Sequence, residues 1–274
     1  MKRFCILLSA LLLLTGCAAA PVESSEPQMP PTVVETPTPP TFPTETTQPP
    51  ETVEAVPVET PVTSVITGAQ KTVNVSTVDE FLAALAPDTE IVLQAELLDL
   101  STATGYGETG GEYYRWQEEF DGPSLYITNL TNLTIRSDVS DRTARTVSAT
   151  PRYANVINFE NCANLWLYGF TAGHTKEPGS CIGGVIGLWN CQDVLIEGCG
   201  LFGCGIYGVM AYSSKDIQIA KDEIYECSQG GLCLTDCKDV FVTDTTFRDL
   251  GGRTYSLYEC ENILEDGVEV DPFQ

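Results

Sequence analysis

The sequence predicts an all-β solenoid, a single-stranded parallel β-helix with a short N-terminal capping helix. The main observation is a repeated phrase of four residues: Asn or Asp, an apolar residue, any residue, and a second apolar residue. The copies follow one another at 29, 23, 23 and 23 residues, and a weaker copy lies 32 residues upstream. A fixed period in this range indicates stacked units that cannot bury their apolar faces alone. The anchor residues of the phrase are Asn132, Asn164, Asp193, Asp216, Asp239 and Asn262.

The first 17 residues have the layout of an export signal. A basic tip precedes an apolar run from Phe4 to Leu14, which is too short to span a bilayer. The run ends in Leu14-Thr15-Gly16-Cys17, which resembles the bacterial lipoprotein signal. This resemblance implies that Cys17 is lipidated and becomes the N-terminus, so the membrane is an expected partner. An ordinary signal peptide with an incidental cysteine is the alternative.

Residues 18–67 form a segment that is rich in Pro, Thr, Glu and Val and contains no Lys or Arg. Such a composition cannot bury enough apolar surface to fold. We interpret it as a disordered linker that carries a domain of residues 68–274.

The domain is predicted to begin with a helix over Thr77–Leu85. Thr77 and Glu80 have capping-box spacing, and the apolar residues between Val78 and Leu85 share one face. A helix placed just before a stacked array indicates a cap over the open first coil. Two long excursions, Ser101–Gly122 and Ser137–Tyr153, then interrupt the pattern, and long loops in compact domains are often functional. Arginines cluster around the second excursion. We expect them either to bind an anion or to form ion pairs with neighbouring carboxylates.

Counting from the anchors arranges the repeats in columns. Residues one after and five before the anchors are apolar and alternate with outward positions, as in short strands. The column one after consists of Leu133, Leu165, Val194, Ile217, Val240 and Ile263. The column five before consists of Ile127, Phe159, Leu188, Ala211, Leu234 and Leu257. Two before the anchors lies a column of small residues, Cys162, Cys191, Ser214, Cys237 and Cys260. Three short strands per coil with small residues in register indicate a parallel β-helix.

From about residue 125 onward, these repeats resemble the right-handed parallel β-helix, or pectate-lyase-like, superfamily. The stretches 151–156 and 172–181 further resemble uncharacterised bacterial surface proteins of this type. The resemblance implies the fold and leaves the activity open, because lyases, hydrolases, epimerases and adhesins share it. His174 follows a glycine, as in polygalacturonase-like enzymes, but their Asn-Thr-Asp and Asp-Asp motifs are absent. The arginine motif of the pectate lyases is absent as well.

The chain has eleven cysteines and one histidine. Cys5 would leave with the signal and Cys17 would carry lipid, so an odd number remains. Because most of these stand at repeating inward positions, we expect free, buried thiols that act as small hydrophobic groups. Pairing between neighbouring coils stays open. No Cys-x-x-Cys pair is present, so no metal site is expected.

The candidate catalytic residues form a column ten residues after the anchors. It contains His174, Gly203, Glu226 and Asp249. Glu226 and Asp249 would be neighbours about 5 Å apart. Such a pair could share a proton, hold a cation, or act as acid and nucleophile on a glycoside. Alternatively, the carboxylates are neighbours by chance and His174 is a structural hydrogen-bonding residue.

The candidate ligand-binding residues are aromatic. Four residues before the anchors, on the outward side, stand Glu160, Trp189, Tyr212, Thr235 and Tyr258, and Trp166 faces outward elsewhere. Aromatic side chains spaced by coils suit stacking on sugar rings. Packing of these rings on one another, or under a loop, is the alternative.

The charge is strongly acidic, with 38 Asp and Glu against 14 Lys and Arg. This field repels nucleic acid and favours cations, so calcium is the conditional cofactor candidate. Together these features predict a monomeric exported lipoprotein, anchored at the outer face of a bacterial membrane, that binds a polysaccharide or other surface glycan. A polysaccharide lyase or glycoside hydrolase is the enzymatic alternative, and a structural or adhesive surface protein is the third.

Overall fold

Three β-sheets build the part of the chain that the structure describes. In this computed structural model the described residues are 70–174, 182–203 and 205–271. The predicted export signal with Cys17, the linker 18–67, Cys181 and Cys204 lie outside them. The chain passes through the three sheets in the same order in successive coils, which confirms the predicted all-β parallel β-helix.

The elements are numbered in chain order. The N-terminal ones are β1 (Lys71–Val75), α1 (Val78–Ala84), β2 (Thr89–Leu93), β3 (Leu97–Asp99), β4 (Tyr114–Glu119), β5 (Gly122–Thr128), β6 (Thr131–Ser137) and β7 (Thr146–Ala149). The next are β8 (Ile157–Glu160), β9 (Ala163–Tyr168), β10 (Thr171–His174), β11 (Ile186–Trp189), β12 (Gln192–Glu197), β13 (Gly200–Phe202), β14 (Tyr207–Tyr212) and β15 (Lys215–Ala220). The last are β16 (Glu223–Tyr225), β17 (Gly230–Thr235), β18 (Lys238–Thr243), β19 (Thr246–Arg248), β20 (Tyr255–Tyr258), β21 (Glu261–Glu265) and β22 (Val268–Glu269). Short 3-10 helices span Leu100–Thr102 and Arg142–Ala144.

The strands of each sheet come from successive coils. Sheet A has the order β1-β2-β6-β9-β12-β15-β18-β21-β22. Sheet B has the order β3-β7-β10-β13-β16-β19, and sheet C the order β4-β5-β8-β11-β14-β17-β20. Neighbouring strands pair in parallel, apart from the antiparallel pairs β4–β5 and β21–β22 at the ends of sheets C and A.

The predicted inward columns are confirmed. Leu165, Val194 and Ile217 are paired in register across sheet A. Phe159, Leu188 and Ala211 are paired in register across sheet C. All of these side chains are buried in one continuous core. The register therefore follows from the anchors, because one face of each strand must be buried.

The anchors are Asn or Asp because of their backbone conformation. All six have a φ between 53° and 56°, in the left-handed region that short polar residues tolerate best after glycine. Their side chains also meet from coil to coil. Asn164 Nδ2 donates to Asn132 Oδ1 at 3.1 Å, and Asn262 Nδ2 donates to Asp239 Oδ1 at 2.5 Å.

The turns from sheet C to sheet A bury the predicted column of small residues. Cys162, Cys191 and Cys237 are buried, and the Cys191 thiol donates to the carbonyl of Phe159 at 3.4 Å. Burial raises the pKa of Cys237 to about 11, so this thiol stays protonated near neutral pH. The cysteines among the described residues are all free, in agreement with the expected stack of buried thiols.

The predicted helix forms at the N-terminal end of the core. Thr77 caps α1 by accepting the amide of Glu80 at 3.2 Å. The Glu80 carboxylate accepts the amide of Ser76 at 2.7 Å, one residue earlier than the predicted capping box requires. Phe81 and Leu82 are buried in the core, which confirms the apolar face.

The two excursions are more ordered than their composition indicates. The first contains β4, which turns back at Asp121 and extends sheet C. In the second, Arg145 pairs with Asp138 at 2.7 Å, and just before it Arg136 pairs with Glu90 at the same distance. These two arginines therefore neutralise carboxylates, which was one of the two expected roles.

Candidate functional site at the outer face of sheet C

Three departures from the repeat meet at one end of sheet C. The Asp121 carboxylate, at the tip of the first excursion, accepts the amides of Arg152 and Tyr153 at 2.7 and 3.1 Å. The amides of Ile182 and Gly183, near the end of the loop from β10 to β11, donate to the Arg152 carbonyl at 2.8 Å. Segments that the sequence pattern treats separately thus share one surface.

The tip of this loop cluster exposes apolar side chains. The Phe120 and Tyr153 rings lie 4.8 Å apart, and Phe120 is 84% exposed. Ile182 is also largely exposed. An exposed apolar group of this kind is typical of a contact surface.

The aromatic row follows on the outer face of sheet C. Glu160, Trp189 and Tyr212 are paired in register, and Thr235 and Tyr258 continue the column. The Trp189 and Tyr212 rings stack at 4.4 Å between centroids with an angle of 3° between planes. Two of the predicted ligand-binding rings thus pack against each other, so the faces between them are closed to a ligand. Their outer edges and the 63% exposed Tyr258 remain accessible.

A buried polar network orients Trp189. The indole Nε1 donates to Asn158 Oδ1 at 3.0 Å, and Asn158 has no exposed surface. Asn158 Nδ2 donates to Ser124 Oγ at 2.8 Å, and Asn155 Nδ2 donates to Asn158 Oδ1 at 2.8 Å. Because each of these polar groups has a partner, the network holds the indole in one orientation.

Gly187 makes room for this network. A Cβ at Gly187 would overlap Asn158 Oδ1, so any other residue would displace Asn158 from beneath Trp189. The glycine here is required for a close approach of side chains and not for a turn.

Planar polar side chains lie beside the aromatic row. The Arg115 guanidinium stacks on the Tyr126 ring at 4.2 Å and pairs with Glu160 at 3.1 Å. Arg115 also donates to Gln117 Oε1 at 2.8 Å, and Gln117 Nε2 donates to Glu119 Oε1 at 3.1 Å. These half-exposed groups present hydrogen-bond donors and acceptors in a line.

His174 is buried at the base of the same loop cluster and is 1% exposed. Its Nε2 lies 2.9 Å from the Ala154 carbonyl, which can only accept, so Nε2 carries the proton. Its Nδ1 has no partner among the described residues. Burial lowers the pKa of His174, although the bond to Ala154 partly opposes this shift. This arrangement matches the structural role and gives His174 no contact with solvent.

Glu226 and Asp249 follow strands that pair in register, so the counted column continues through both. Both are exposed and have a positive φ, 56° and 54°. Asp249 Oδ2 pairs with Arg248 Nη1 at 2.9 Å, and Arg248 also pairs with Glu223 at 2.6 Å. The glycine at 203 separates Glu226 from His174 by two strand spacings, roughly 9.6 Å. The structure therefore does not bring the three candidate catalytic residues into contact.

Trp166 lies on the outer face of sheet A, where it is paired with Leu195 and contacts Tyr168 at 5.5 Å between rings. It therefore belongs to a different surface from Trp189, as the register predicts.

Calcium has no evident site here, since the described residues contain no group of three or more His, Cys, Asp or Glu placed to hold a metal ion. Their one α-helix, α1, is not long and apolar enough to cross a membrane.

Sequence reasoning missed Arg115, Gln117, Asn155 and Asn158. Asn158 carried a readable signal, because it occupies an outward position between two buried residues of β8. Arg115, Gln117 and Asn155 had no such signal in the sequence, since β4 and the loop before β8 contain no repeat of the phrase.

One family model agrees with this fold. A family model described as "Right handed beta helix region" matches residues 183–267. A crystal structure of a protein from Parabacteroides merdae, provisionally named a glycosyl hydrolase, is similar at 15% identity and a TM-score of 0.37, over 56% of this chain and 83% of that one. No curated protein matches the chain. A likeness this weak carries no argument about activity.

The stacked parallel sheets and the matched repeats together define the class of protein. The described residues form a parallel β-helix, and residues 183–267 of it match the right-handed β-helix family model.

Proposed function

We propose that this protein binds a polysaccharide or other surface glycan on the outer face of sheet C. The observation that carries the proposal is the meeting of three departures from the repeat beside a row of aromatic and planar polar side chains. A rigid stack of strands supports such loops without itself needing to change.

The chemistry of this face suits a sugar chain. Sugars have apolar C–H faces and rims of hydroxyl groups that both donate and accept hydrogen bonds. Tyr258 and the edges of Trp189 and Tyr212 would provide apolar contact, while the Trp189 indole keeps Asn158 as its polar partner. Arg115, Gln117 and Glu160 would provide directional hydrogen bonds.

The enzymatic alternative has weaker support. His174 is buried, and Asp249 is held by Arg248. Glu226 is the one of the three candidates that is exposed and forms no ion pair with a described residue. A depolymerised product in the binding assays, abolished by Glu226→Gln, would replace the binding proposal with a catalytic one.

Two matched substitutions test the proposal. Both Trp189 and Trp166 are half-buried and face outward, but on different sheets. On a panel of neutral and acidic polysaccharides, Trp189→Ala is expected to weaken the affinity of the bound glycan roughly tenfold or more, the size of an aromatic anchor. Trp166→Ala, with a similar loss of packing, should bind like the wild type. A loss of affinity in Trp166→Ala but not in Trp189→Ala would place the site on sheet A. A wild-type protein that binds none of the polysaccharides would contradict the proposal.

Anchoring through Cys17 is part of the same proposal and rests on the Leu-x-Gly-Cys pattern. Two or more acyl chains on this cysteine would give stable attachment, whereas one would bind only marginally. In a bacterial host, the wild type should fractionate with membranes and carry lipid mass on an N-terminal Cys17. Cys17→Ser should lose that mass and leave the membrane fraction. Wild type without lipid, or an unchanged distribution of the variant, would contradict the anchor.

A further inference from the structure

A concave surface lies at the other end of sheet C, away from the Asp121 loop cluster. It is a cleft of about 450 Å³ between the last two loops that lead from sheet B to sheet C. Tyr207, Ser228, Gln229, Arg253 and Ser256 contribute polar side chains to its lining. Ser256 follows Cys233 in register on the outer face of β20, so the cleft opens beside the aromatic row.

Arg253 differs from most other arginines of the domain. Arg115, Arg136, Arg145 and Arg248 each pair with a carboxylate. Arg253 forms neither an ion pair nor a hydrogen bond with any residue that the structure describes, and it is exposed. The domain from residue 68 onward contains 31 acidic and 12 basic residues, so carboxylate partners are plentiful. Arg253 is nevertheless left with its guanidinium donors unused.

The backbone around Arg253 is held in place by close contacts. A Cβ at Gly251 would overlap the Ser228 carbonyl, and a Cβ at Gly252 would overlap the Gln229 carbonyl. A Cβ at Gly230 would likewise overlap the carbonyl of Arg253 itself. The Gly251 amide donates to the Cys227 carbonyl at 2.9 Å. These contacts fix the loop that carries Arg253 against the loop that carries Ser228 and Gln229.

The composition of the lining favours a negatively charged ligand. Gln229, Ser256 and Tyr207 can donate hydrogen bonds, and no carboxylate of a described residue lines the cleft. The Ser228 hydroxyl donates to the Gly205 carbonyl at 3.4 Å. Acidic residues flank the lining along the chain. Asp249, two residues before Gly251, is paired with Arg248. Glu226, two residues before Ser228, is exposed and forms no ion pair with a described residue. A guanidinium can hold an oxyanion through two parallel hydrogen bonds, and hydroxyl and amide donors can satisfy its remaining lone pairs.

We propose that this cleft is a binding site for an oxyanion, either a carboxylate or a sulfate ester, with Arg253 as its main contact. The proposal goes beyond glycan binding on the aromatic row and does not depend on it. A neutral glycan could bind at Trp189 with the cleft empty, and a small anion could bind in the cleft with no glycan present.

Calorimetric titration with glucuronate, glucose 6-sulfate, inorganic sulfate and glucose tests the site. Glucuronate or glucose 6-sulfate should bind the wild type, and glucose should not. Inorganic sulfate distinguishes a site for the free ion from one that also needs the sugar. Because charge-assisted hydrogen bonds carry the affinity, Arg253→Gln should weaken the anion by roughly tenfold or more. Arg253→Lys keeps the charge without the planar fork and should recover only part of the affinity.

Lys215 provides the matched control. It is an exposed cation on sheet A that forms no ion pair with a described residue. Lys215→Gln removes the same charge and should leave anion binding unchanged, with the melting temperature of every variant near that of the wild type. Equal losses in both variants would mean that only net charge matters and would overturn the site. Unchanged binding in Arg253→Gln, or no anion binding by the wild type at millimolar concentration, would overturn it as well.

Discussion

The turns from sheet C to sheet A and the loops from sheet B to sheet C belong to the same coils, yet they differ in regularity. From β5 onward, each turn from sheet C to sheet A has two residues. The loops from sheet B to sheet C, from β7 onward, have 7, 11, 4, 4 and 6 residues. The first turn residue always has a φ between 48° and 58°, and the second lies at or near the core.

This difference separates structure from function in the molecule. A position that is small in successive coils, such as the column of Cys162, Cys191 and Ser214, satisfies a packing and backbone requirement that these coils share. A residue that occurs once, such as Arg115 or Arg253, has no equivalent in the next coil and is free to serve a ligand. The proposed glycan surface and the proposed oxyanion cleft both lie where the loops vary.

Insertions should give the largest difference in stability between the regular turns and the variable excursions. One glycine after Asn190 should cost several kcal/mol, because the chain must either expel Cys191 from its buried position or shift β12 by one residue and expose Val194. One glycine after Ser140, which is exposed in the second excursion, should cost less than about 1 kcal/mol. Urea unfolding of both proteins measures the difference. Equal losses would mean that the turns are no more constrained than the excursions.

A smaller effect is expected at Asp222, an acid in the turn from sheet A to sheet B. Its Oδ1 accepts the Cys199 amide at 2.6 Å, while its buried Oδ2 has no partner among the described residues. Burial raises the pKa of Asp222 well above its usual range. Since the folded state holds this proton more tightly than the unfolded state, stability is highest below about pH 4 and is lost as pH rises from there towards the raised pKa.

The substitution Asp222→Asn keeps the acceptor for Cys199 and removes the ionisation. It should stabilise the protein at pH 7 by about 1–3 kcal/mol, because the folded state no longer has to bury or neutralise a carboxylate whose Oδ2 has no partner among the described residues. The melting temperature measured from pH 4 to 7 should fall less steeply in the variant than in the wild type. A variant that is less stable at pH 7 and has the same slope would show that the carboxylate is favourable in its ionised form.

The sequence predicted the fold in unusual detail because coil length and strand period act together. An anchor fixes the position along the coil, and the two-residue period then decides which side chains face inward. The columns of Leu165 and Phe159 are therefore correct in every coil compared. Even the buried Asp222 could have been read this way, since it aligns with Phe170 and Cys199 six residues after their anchors.

The candidate site was less predictable because it depends on side-chain torsions and long-range contacts. Register places Trp189 beside Tyr212 but does not say that their rings stack face to face. Counting also does not say that His174 is buried and meets the Ala154 carbonyl of the preceding coil. The polar line that starts at Arg115 depends on an antiparallel strand within an excursion that shows no repeat. These contacts arise from the departures, for which counting from anchors gives no register.

The most direct test of the central claim is hydroxyl-radical footprinting with a bound polysaccharide, read by mass spectrometry. If the ligand lies on the outer face of sheet C, oxidation of Trp189, Tyr212 and Tyr258 should fall when the glycan is added. Oxidation of Trp166 and Tyr168 on sheet A should stay unchanged, although the same reagent reaches both faces. Protection of the sheet A residues without protection of the sheet C row would contradict the account.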